Sequence, residues 1–217
     1  MALWPRSEEQ LAAVVVAWLR DQHWRVYQEV DTGAGRVDIL AEQVGQLWAI
    51  ECKTSFGLDV ISQADRHRER CTFASAATPR QFVCDLGEVL CKLRGVGVLF
   101  VTSDGVRELV APRPNRRAPV TKVLAKLEPE HETFCAAGTA GGGHWSPFKR
   151  TCRDVLAYVT AHPGCTVKAL VDGVRHHYRD NSSARSNLPR WIEARKVPGV
   201  RLSRNGRELR VYVDSST

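Results

Sequence analysis

The spacing of apolar residues changes along the first fifty positions and predicts four elements. Apolar residues recur three and four positions apart from Leu11 to Leu19, directly after Ser7, which predicts a helix with Ser7 as its N-cap that runs to about Asp21. Apolar and polar residues then alternate, and a period of two is typical of strands with one buried face. The predicted strands are residues 25–30, 37–42 and 47–54, the last two joined by a tight turn at residues 43–46.

The next sixty residues extend this pattern. A polar helix is predicted over residues 61–76, followed by short strands. These strands are residues 81–84, 97–102 and 106–111, the last two joined across Ser103, Asp104 and Gly105, a strong hairpin signal. Helices that alternate with strands predict an α/β domain with a mixed sheet flanked by helices, which we assign to residues 1–118.

Proline and glycine mark the boundary of a second domain. A short helix over residues 120–127 and a glycine-rich stretch at 136–143 predict a connecting segment over residues 119–144. Beyond it, helical spacing returns three times and two strands follow across Asn205 and Gly206. The predicted helices are residues 150–161, 166–176 and 182–196, and the strands are residues 200–203 and 208–213. Three helices followed by a hairpin indicate a small winged helix-turn-helix domain over residues 145–217.

The positive charge of the chain is concentrated in this second domain. Residues 1–144 contain 17 Lys and Arg against 18 Asp and Glu, whereas residues 145–217 contain 14 against 6. A net charge of +8 in the last third favours a polyanionic partner, first of all DNA. The residues that we expect to contact DNA are Arg185, Asn187, Arg190 and Arg195 on the third helix and Arg201, Arg204, Arg207 and Arg210 on the wing. Winged helices also dock proteins, so a protein partner for this domain stays an alternative.

The cysteines and the N-terminus indicate the compartment. The chain has seven cysteines, an odd number, and none is arranged as Cys-x-x-Cys. The N-terminus lacks a basic region followed by a long apolar core, and residues 11–19 are too few to span a bilayer. We therefore expect a protein of the reducing cytoplasm, in a bacterial or phage-infected cell and associated with the nucleoid, that does not bind membranes.

Candidate chemistry lies on the two strands joined by the tight turn. Asp38 stands on the first of these strands, and Glu51 and Lys53 stand two positions apart on the second, where alternation places them on one face. Two neighbouring carboxylates repel each other unless a divalent cation lies between them, and oxygen ligands suit Mg²⁺ or Mn²⁺. A lysine beside the cation can orient water or stabilise the charge that develops on a phosphate. This set predicts metal-dependent phosphodiester hydrolysis.

The pattern of Asp38 followed by Glu51-Cys52-Lys53 resembles the motif of the PD-(D/E)xK superfamily, nucleases with the restriction-endonuclease-like fold. The resemblance covers residues 7–112. The resemblance implies a Mg²⁺-dependent DNA endonuclease of repair, recombination, or phage and mobile-element DNA processing. It also implies further site residues: the backbone carbonyl of Cys52 as a metal ligand, Gln63 as a group that positions the phosphate or Lys53, and a glutamate on the first helix as an additional ligand. That glutamate is Glu8 or Glu9, and we prefer Glu8 because it shares a helical face with Leu11, Ala12 and Val15. The chain departs from the family pattern in having no proline directly before Asp38, where Arg36-Val37 stands; we assign Arg36 to DNA contact.

Two alternatives to an active nuclease remain open from the sequence. An Asp…Glu-x-Lys pattern also occurs by chance, in which case Lys53 would be a surface ion-pair partner of Asp38 and Glu51. A nuclease-like fold can also persist without activity, as the scaffold of a non-catalytic DNA-binding or regulatory protein. If the chain does cut both strands of a duplex, two active sites are needed, which favours a homodimer.

Overall fold

The chain folds into two units, Met1–Trp145 and Ser146–Thr217. The computed structural model describes Pro5 and residues 7–79, 85–139, 143–206 and 208–214. The strand predicted over residues 81–84 and the predicted DNA contact Arg207 lie outside the described residues. Among the described helices, none combines the length and the apolar character needed to cross a bilayer.

A six-stranded mixed sheet forms the centre of the first unit, and its strands follow one another in chain order. The strands are β1 (Arg25–Asp31), β2 (Arg36–Gln43), β3 (Gln46–Cys52), β4 (Phe73–Thr78), β5 (Gly97–Thr102) and β6 (Gly105–Val110). Strands β1 to β3 form an antiparallel meander, β3, β4 and β5 are parallel, and β6 returns antiparallel to β5. The described helices of this unit are α1 (Glu8–Asp21), α2 (Leu58–His67), α3 (Asp85–Arg94) and α4 (Val120–Leu124). The architecture is therefore α/β, as the sequence predicts.

Helix α1 begins where the sequence predicts and covers one face of the sheet. The hydroxyl of Ser7 accepts a hydrogen bond from the backbone N–H of Gln10, which satisfies one of the unpaired donors of the first turn. The apolar side of α1, including Leu11 and Leu19, is fully buried in one core with Ile39 and Ile50 of the sheet. This packing holds the N-terminal end of α1 beside the sheet.

The prediction of a helix over residues 61–76 is wrong for the second half of this range. Helix α2 ends at His67, and residues 73–78 form β4 between β3 and β5. Five of the six residues of β4 are buried, because a central parallel strand is covered on both faces. Its sequence, Phe-Ala-Ser-Ala-Ala-Thr, therefore has no alternation of apolar and polar residues that would distinguish it from a helix.

Residues 119–144 were predicted to connect two domains, but most of this segment packs against the first unit. Val123 of α4 is buried in a core with residues of β1, β2 and β3. The guanidinium of Arg25 donates to Glu132, in a 3-10 helix over Pro129–Glu132. Ala137 is 1% exposed, and its N–H donates to the side chain of Gln28. Contacts with β1 thus bring this segment into the first unit.

The second unit has a core and a small sheet of its own. Its elements are α5 (Pro147–Ala161), β7 (Cys165–Thr166), α6 (Val167–Gly173), α7 (Asn181–Glu193), β8 (Val200–Asn205) and β9 (Glu208–Val213), and the sheet order is β7-β9-β8. Val155, Leu170, Leu188 and Val211 lie in one buried cluster. The two-residue strand β7 is too short to leave a periodic signal in the sequence.

Candidate functional site

Asp38 and Glu51 lie where β2 and β3 stop pairing. The last pair of the ladder at this end joins Ile39 to Ile50, so Asp38 and Glu51 occupy the next two opposing positions. Instead of a continued backbone ladder, the carboxylate of Asp38 accepts the N–H of Cys52, with 2.7 Å between Oδ2 and N. The structure therefore brings the two predicted carboxylates together at the end of a hairpin.

A third carboxylate, from Glu29 on β1, continues the row. The pairs Gln28–Ile39 and Val30–Val37 place Glu29 opposite Asp38. Glu29 adopts a φ of 55°, a left-handed conformation that is uncommon for a residue other than glycine, and only 7% of its surface is exposed. Sequence reasoning missed Glu29; the signal was available only as a register between β1 and β2.

Two partners hold the buried Glu29 carboxylate. Its Oε2 atom lies 2.9 Å from Nε of Arg36, and its Oε1 atom accepts the N–H of Gly138 at 3.0 Å. Arg36 also lies 3.1 Å from Nδ1 of His144. The guanidinium assigned to DNA is therefore engaged within the first unit.

The row of carboxylates perturbs the protonation of Asp38. Burial, the charge of Glu51 and, to a smaller extent, the charge of Glu29 raise the pKa of Asp38 from 3.8 to about 7, against the lowering effects of the Cys52 N–H and of Lys53. Asp38 thus retains a proton well into the neutral range when no cation is bound.

Lys53 directly follows β3 and forms an ion pair with α1. Its Nζ atom lies 2.9 Å from Oε2 of Glu8, and both side chains are about one third exposed. Burial lowers the pKa of Lys53, but the hydrogen bond to Glu8 and the charges of Asp38 and Glu51 outweigh it, so the net pKa is raised and the ammonium stays charged. Glu9 is exposed, so of the two glutamates considered it is Glu8 that faces the site.

A buried histidine that sequence reasoning missed orients Glu51. His67, at the end of α2, is 2% exposed; its Nε2 atom lies 2.8 Å from Oε1 of Glu51 and its Nδ1 atom 3.0 Å from the hydroxyl of Thr32. The Thr32 hydroxyl accepts the N–H of Ala34 and donates to the carbonyl of Gly35 at 3.0 Å.

Each ring nitrogen of His67 therefore has one partner, the Thr32 hydroxyl for Nδ1 and the Glu51 carboxylate for Nε2. The only signal in the sequence for a role of His67 in the site was its position four residues after Gln63, which places the two residues on one side of the helix.

Gln63 faces an open cleft beside Lys53. The cleft has a volume of about 460 Å³ and is lined by Lys53, Ser55, Phe56, Gly57, Asp59, Val60, Ser62, Gln63 and Arg66. The Oε1 atom of Gln63 is buried and has no hydrogen-bond partner among the described residues. The structure therefore places Gln63 and Lys53 around one space.

The carboxylates of Asp38 and Glu51 suit Mg²⁺ or Mn²⁺ only if water molecules supply the additional ligands. Within the described ranges, no three His, Cys, Asp or Glu side chains are already arranged to hold a metal ion. Glu8 is paired with Lys53, but Asp38 and Glu51 each have one oxygen that accepts no hydrogen bond from a described residue. Mg²⁺ commonly binds one or two protein carboxylates and keeps several waters, so two free carboxylate oxygens and the Cys52 carbonyl suit it.

The predicted DNA-contacting residues of the second unit divide into engaged and exposed side chains. Arg185 pairs with Asp172 at 2.6 Å, and the side-chain amide of Asn187 donates to the carbonyl of Ser183. In the hairpin of β8 and β9, Arg201 stacks on Tyr212 and Arg210 donates to Glu208 and to the carbonyl of Gly164. Arg190, Arg195 and Arg204 are exposed, and Arg185 and Arg201 remain exposed despite their contacts. Arg195, predicted on the third helix, lies beyond the end of α7 at Glu193 in a left-handed conformation.

No family model matches the chain, and no curated protein is significantly similar to it. Among solved structures, the chain is similar to a protein of unknown function from Silicibacter pomeroyi. The two share 22% sequence identity with a TM-score of 0.48, over 57% of this chain and 85% of that chain.

Proposed function

We propose that this chain is a Mg²⁺- or Mn²⁺-dependent DNA endonuclease of the PD-(D/E)xK type, with Asp38, Glu51 and Lys53 as its catalytic residues. The observation that carries the proposal is the position of Asp38 and Glu51 at the diverging ends of β2 and β3. The two side chains are close enough for the charge of Glu51 to raise the pKa of Asp38. Such paired carboxylates are unfavourable on their own and are stabilised by a cation.

Each residue of the site has a distinct task in phosphodiester hydrolysis. A bound divalent cation supplies Lewis-acid stabilisation of the phosphate and lowers the pKa of water. Asp38 and Glu51 would hold the cation, together with the backbone carbonyl of Cys52. The ammonium of Lys53 would stabilise the negative charge on the phosphate while the attacking water bonds to phosphorus and loses a proton to solvent. The ester P–O bond breaks, and the leaving oxygen takes up a proton from solvent. Glu8 positions Lys53, and Gln63 contacts the phosphate from the cleft.

The second unit supplies DNA affinity in this proposal. The order α5-β7-α6-α7-β8-β9, with three helices and a three-stranded sheet, supports a winged helix-turn-helix. Helix α7 is its recognition helix, since Arg190 is exposed while Ala184, Leu188 and Ile192 are buried. The net charge of +8 favours phosphate contacts that do not depend on sequence.

A second candidate is a non-catalytic DNA-binding protein on the same scaffold. Two contacts favour it: Lys53 is paired with Glu8, and one oxygen of Glu51 is bound by His67. Both side chains are thus stabilised without a cation.

Cleavage assays with the purified full chain distinguish the two candidates. The chain is incubated with Mg²⁺ or Mn²⁺ and a panel of linear, nicked, flapped and four-way DNA. We expect cleavage that Glu51→Gln and Lys53→Ala abolish without loss of DNA binding, whereas the exposed control Glu9→Gln keeps full activity. Undiminished cleavage by Glu51→Gln would rule out the proposed centre. DNA binding without cleavage of any substrate, and without Mn²⁺ binding in calorimetry, would favour the scaffold protein.

A further inference from the structure

Helix α3 presents an apolar stripe to solvent. Leu86, Val89 and Leu93 are 78%, 51% and 72% exposed, and their spacing of three and four residues places them on one side of the helix. The opposite side, with Gly87 and Cys91, is buried against the first unit. Exposed apolar residues are common singly, but a row of three along one helix is typical of a helix–helix contact.

The charges beside this stripe are arranged in opposite signs at its two ends. Asp85 stands at the start of α3 and Lys92 near its end, and both are exposed. Lys92 also lies 3.9 Å from Glu88 of the same helix, in an exposed pair that leaves its ammonium accessible to a further carboxylate. They are seven residues apart, which is close to two full helical turns, so they lie on the same flank of the stripe. An acidic group and a basic group therefore occupy one flank at opposite ends of a short helix.

We propose that α3 pairs antiparallel with α3 of a second copy of this chain, about a two-fold axis at Val89. A rise of about 1.5 Å per residue places Leu86 about 4.5 Å before this axis and Leu93 about 6 Å after it, so each Leu86 meets Leu93 of the second copy. On the flank, each Asp85 faces Lys92 of the second copy.

This pattern favours a second copy over other occupants of the stripe. A parallel arrangement would place the two Asp85–Lys92 flanks on opposite sides of the contact, where they could not pair, whereas the antiparallel arrangement forms two ion pairs and three apolar contacts from a single helix. The acidic residues Asp85 and Glu88 beside the stripe also oppose contact with an anionic membrane surface.

The pairing is weak because it involves one helix of ten residues. Such a contact is smaller than the roughly 800 Å² per partner that is usual for stable complexes, so the dimer forms at high protein concentration. The inference does not depend on the proposed nuclease activity, although two paired active sites are what cutting both strands requires.

Sedimentation equilibrium of the full chain over a wide concentration range tests the pairing. We expect the mass to rise from monomer towards dimer with concentration. Leu93→Glu places a charge in the apolar stripe, opposite Leu86 of the second copy, and should keep the chain monomeric throughout. The matched control is Val44→Glu, at a residue that is 95% exposed in the turn between β2 and β3, and it should dimerise as the unchanged chain does.

Charge reversal tests the antiparallel arrangement itself. Asp85→Lys places like charges opposite each other at two symmetric positions and should raise the dissociation constant about three- to tenfold. The double variant Asp85→Lys, Lys92→Asp restores opposite charges and should recover most of the affinity. Fraying of α3 cannot explain this recovery, because the double variant carries the same change at position 85.

Three results would overturn the inference. These are a mass that stays monomeric at every concentration, dimerisation of Leu93→Glu equal to that of the control, and failure of the double reversal to recover the affinity. Circular dichroism melting of each variant verifies that it is folded.

Discussion

Replacing Asp38 with asparagine should stabilise the fold while abolishing metal binding. Asparagine has nearly the same shape as aspartate, and its carbonyl can still accept the N–H of Cys52, but it carries no charge. In the unchanged chain, burial and the charge of Glu51 raise the pKa of Asp38 from 3.8 to about 7. The variant removes this unfavourable ionisation.

The sign and size of the effect follow from proton linkage. Below a pH of about 4, Asp38 is protonated in both the folded and the unfolded chain and has no effect on the free energy of unfolding. Between about 4 and 7 the folded chain binds a proton that the unfolded chain lacks, so its stability falls by about 1.4 kcal/mol per pH unit. Above pH 7 the destabilisation is complete, at about 4 kcal/mol. Asp38→Asn should therefore exceed the unchanged chain in stability by up to about 4 kcal/mol at pH 8, and by about 1–2 kcal/mol at pH 5.

Urea unfolding without divalent cations, at pH 5 and pH 8, measures this difference. Tryptophan fluorescence reports mainly on the first unit, because Trp18 and Trp24 each contact Trp48 in its core and a single described tryptophan, Trp191, lies in the second unit. Added Mn²⁺ should stabilise the unchanged chain and leave Asp38→Asn unaffected. The exposed control Glu9→Gln should show no pH-dependent gain. If Asp38→Asn is no more stable than the unchanged chain at pH 8, Asp38 is not opposed by Glu51 and the proposed metal centre is wrong.

Three further substitutions test the remaining parts of the site and the second unit. Glu8→Gln should lower the cleavage rate more than Glu9→Gln, because only Glu8 is bound to Lys53; equal effects in a cleavage assay would contradict this. His67→Leu should weaken Mn²⁺ binding about 10- to 100-fold in calorimetry, because Glu51 loses the donor that orients it, and unchanged affinity would refute that role. Arg190→Gln should reduce the steepness with which DNA affinity falls with salt, by close to one unit of the log–log slope if the guanidinium contacts a phosphate, and an unchanged slope would place Arg190 outside the DNA contact.

Local signals in the sequence were sufficient where neighbouring residues decide the structure. The N-cap of α1 at Ser7 is confirmed, because a capping hydroxyl acts on N–H groups three residues away. The hairpin of β2 and β3 is confirmed as well, and its tight turn aligns Asp38 with Glu51 across two adjacent strands. The core of the proposed site was therefore accessible from residues 36–53 alone.

Only the tertiary structure decided the parts that depend on distant contacts. Strand β4 and helix α3 escaped prediction because the first is buried on both faces and the second exposes its apolar residues. Glu29 enters the site through the register between β1 and β2, and His67 enters it from α2, within the connection between β3 and β4. No periodic pattern in the sequence indicates that Glu29 and His67 lie beside Asp38 and Glu51. They arise when the helices and strands pack together, because burial of apolar surface brings polar side chains from separate segments to one end of the sheet.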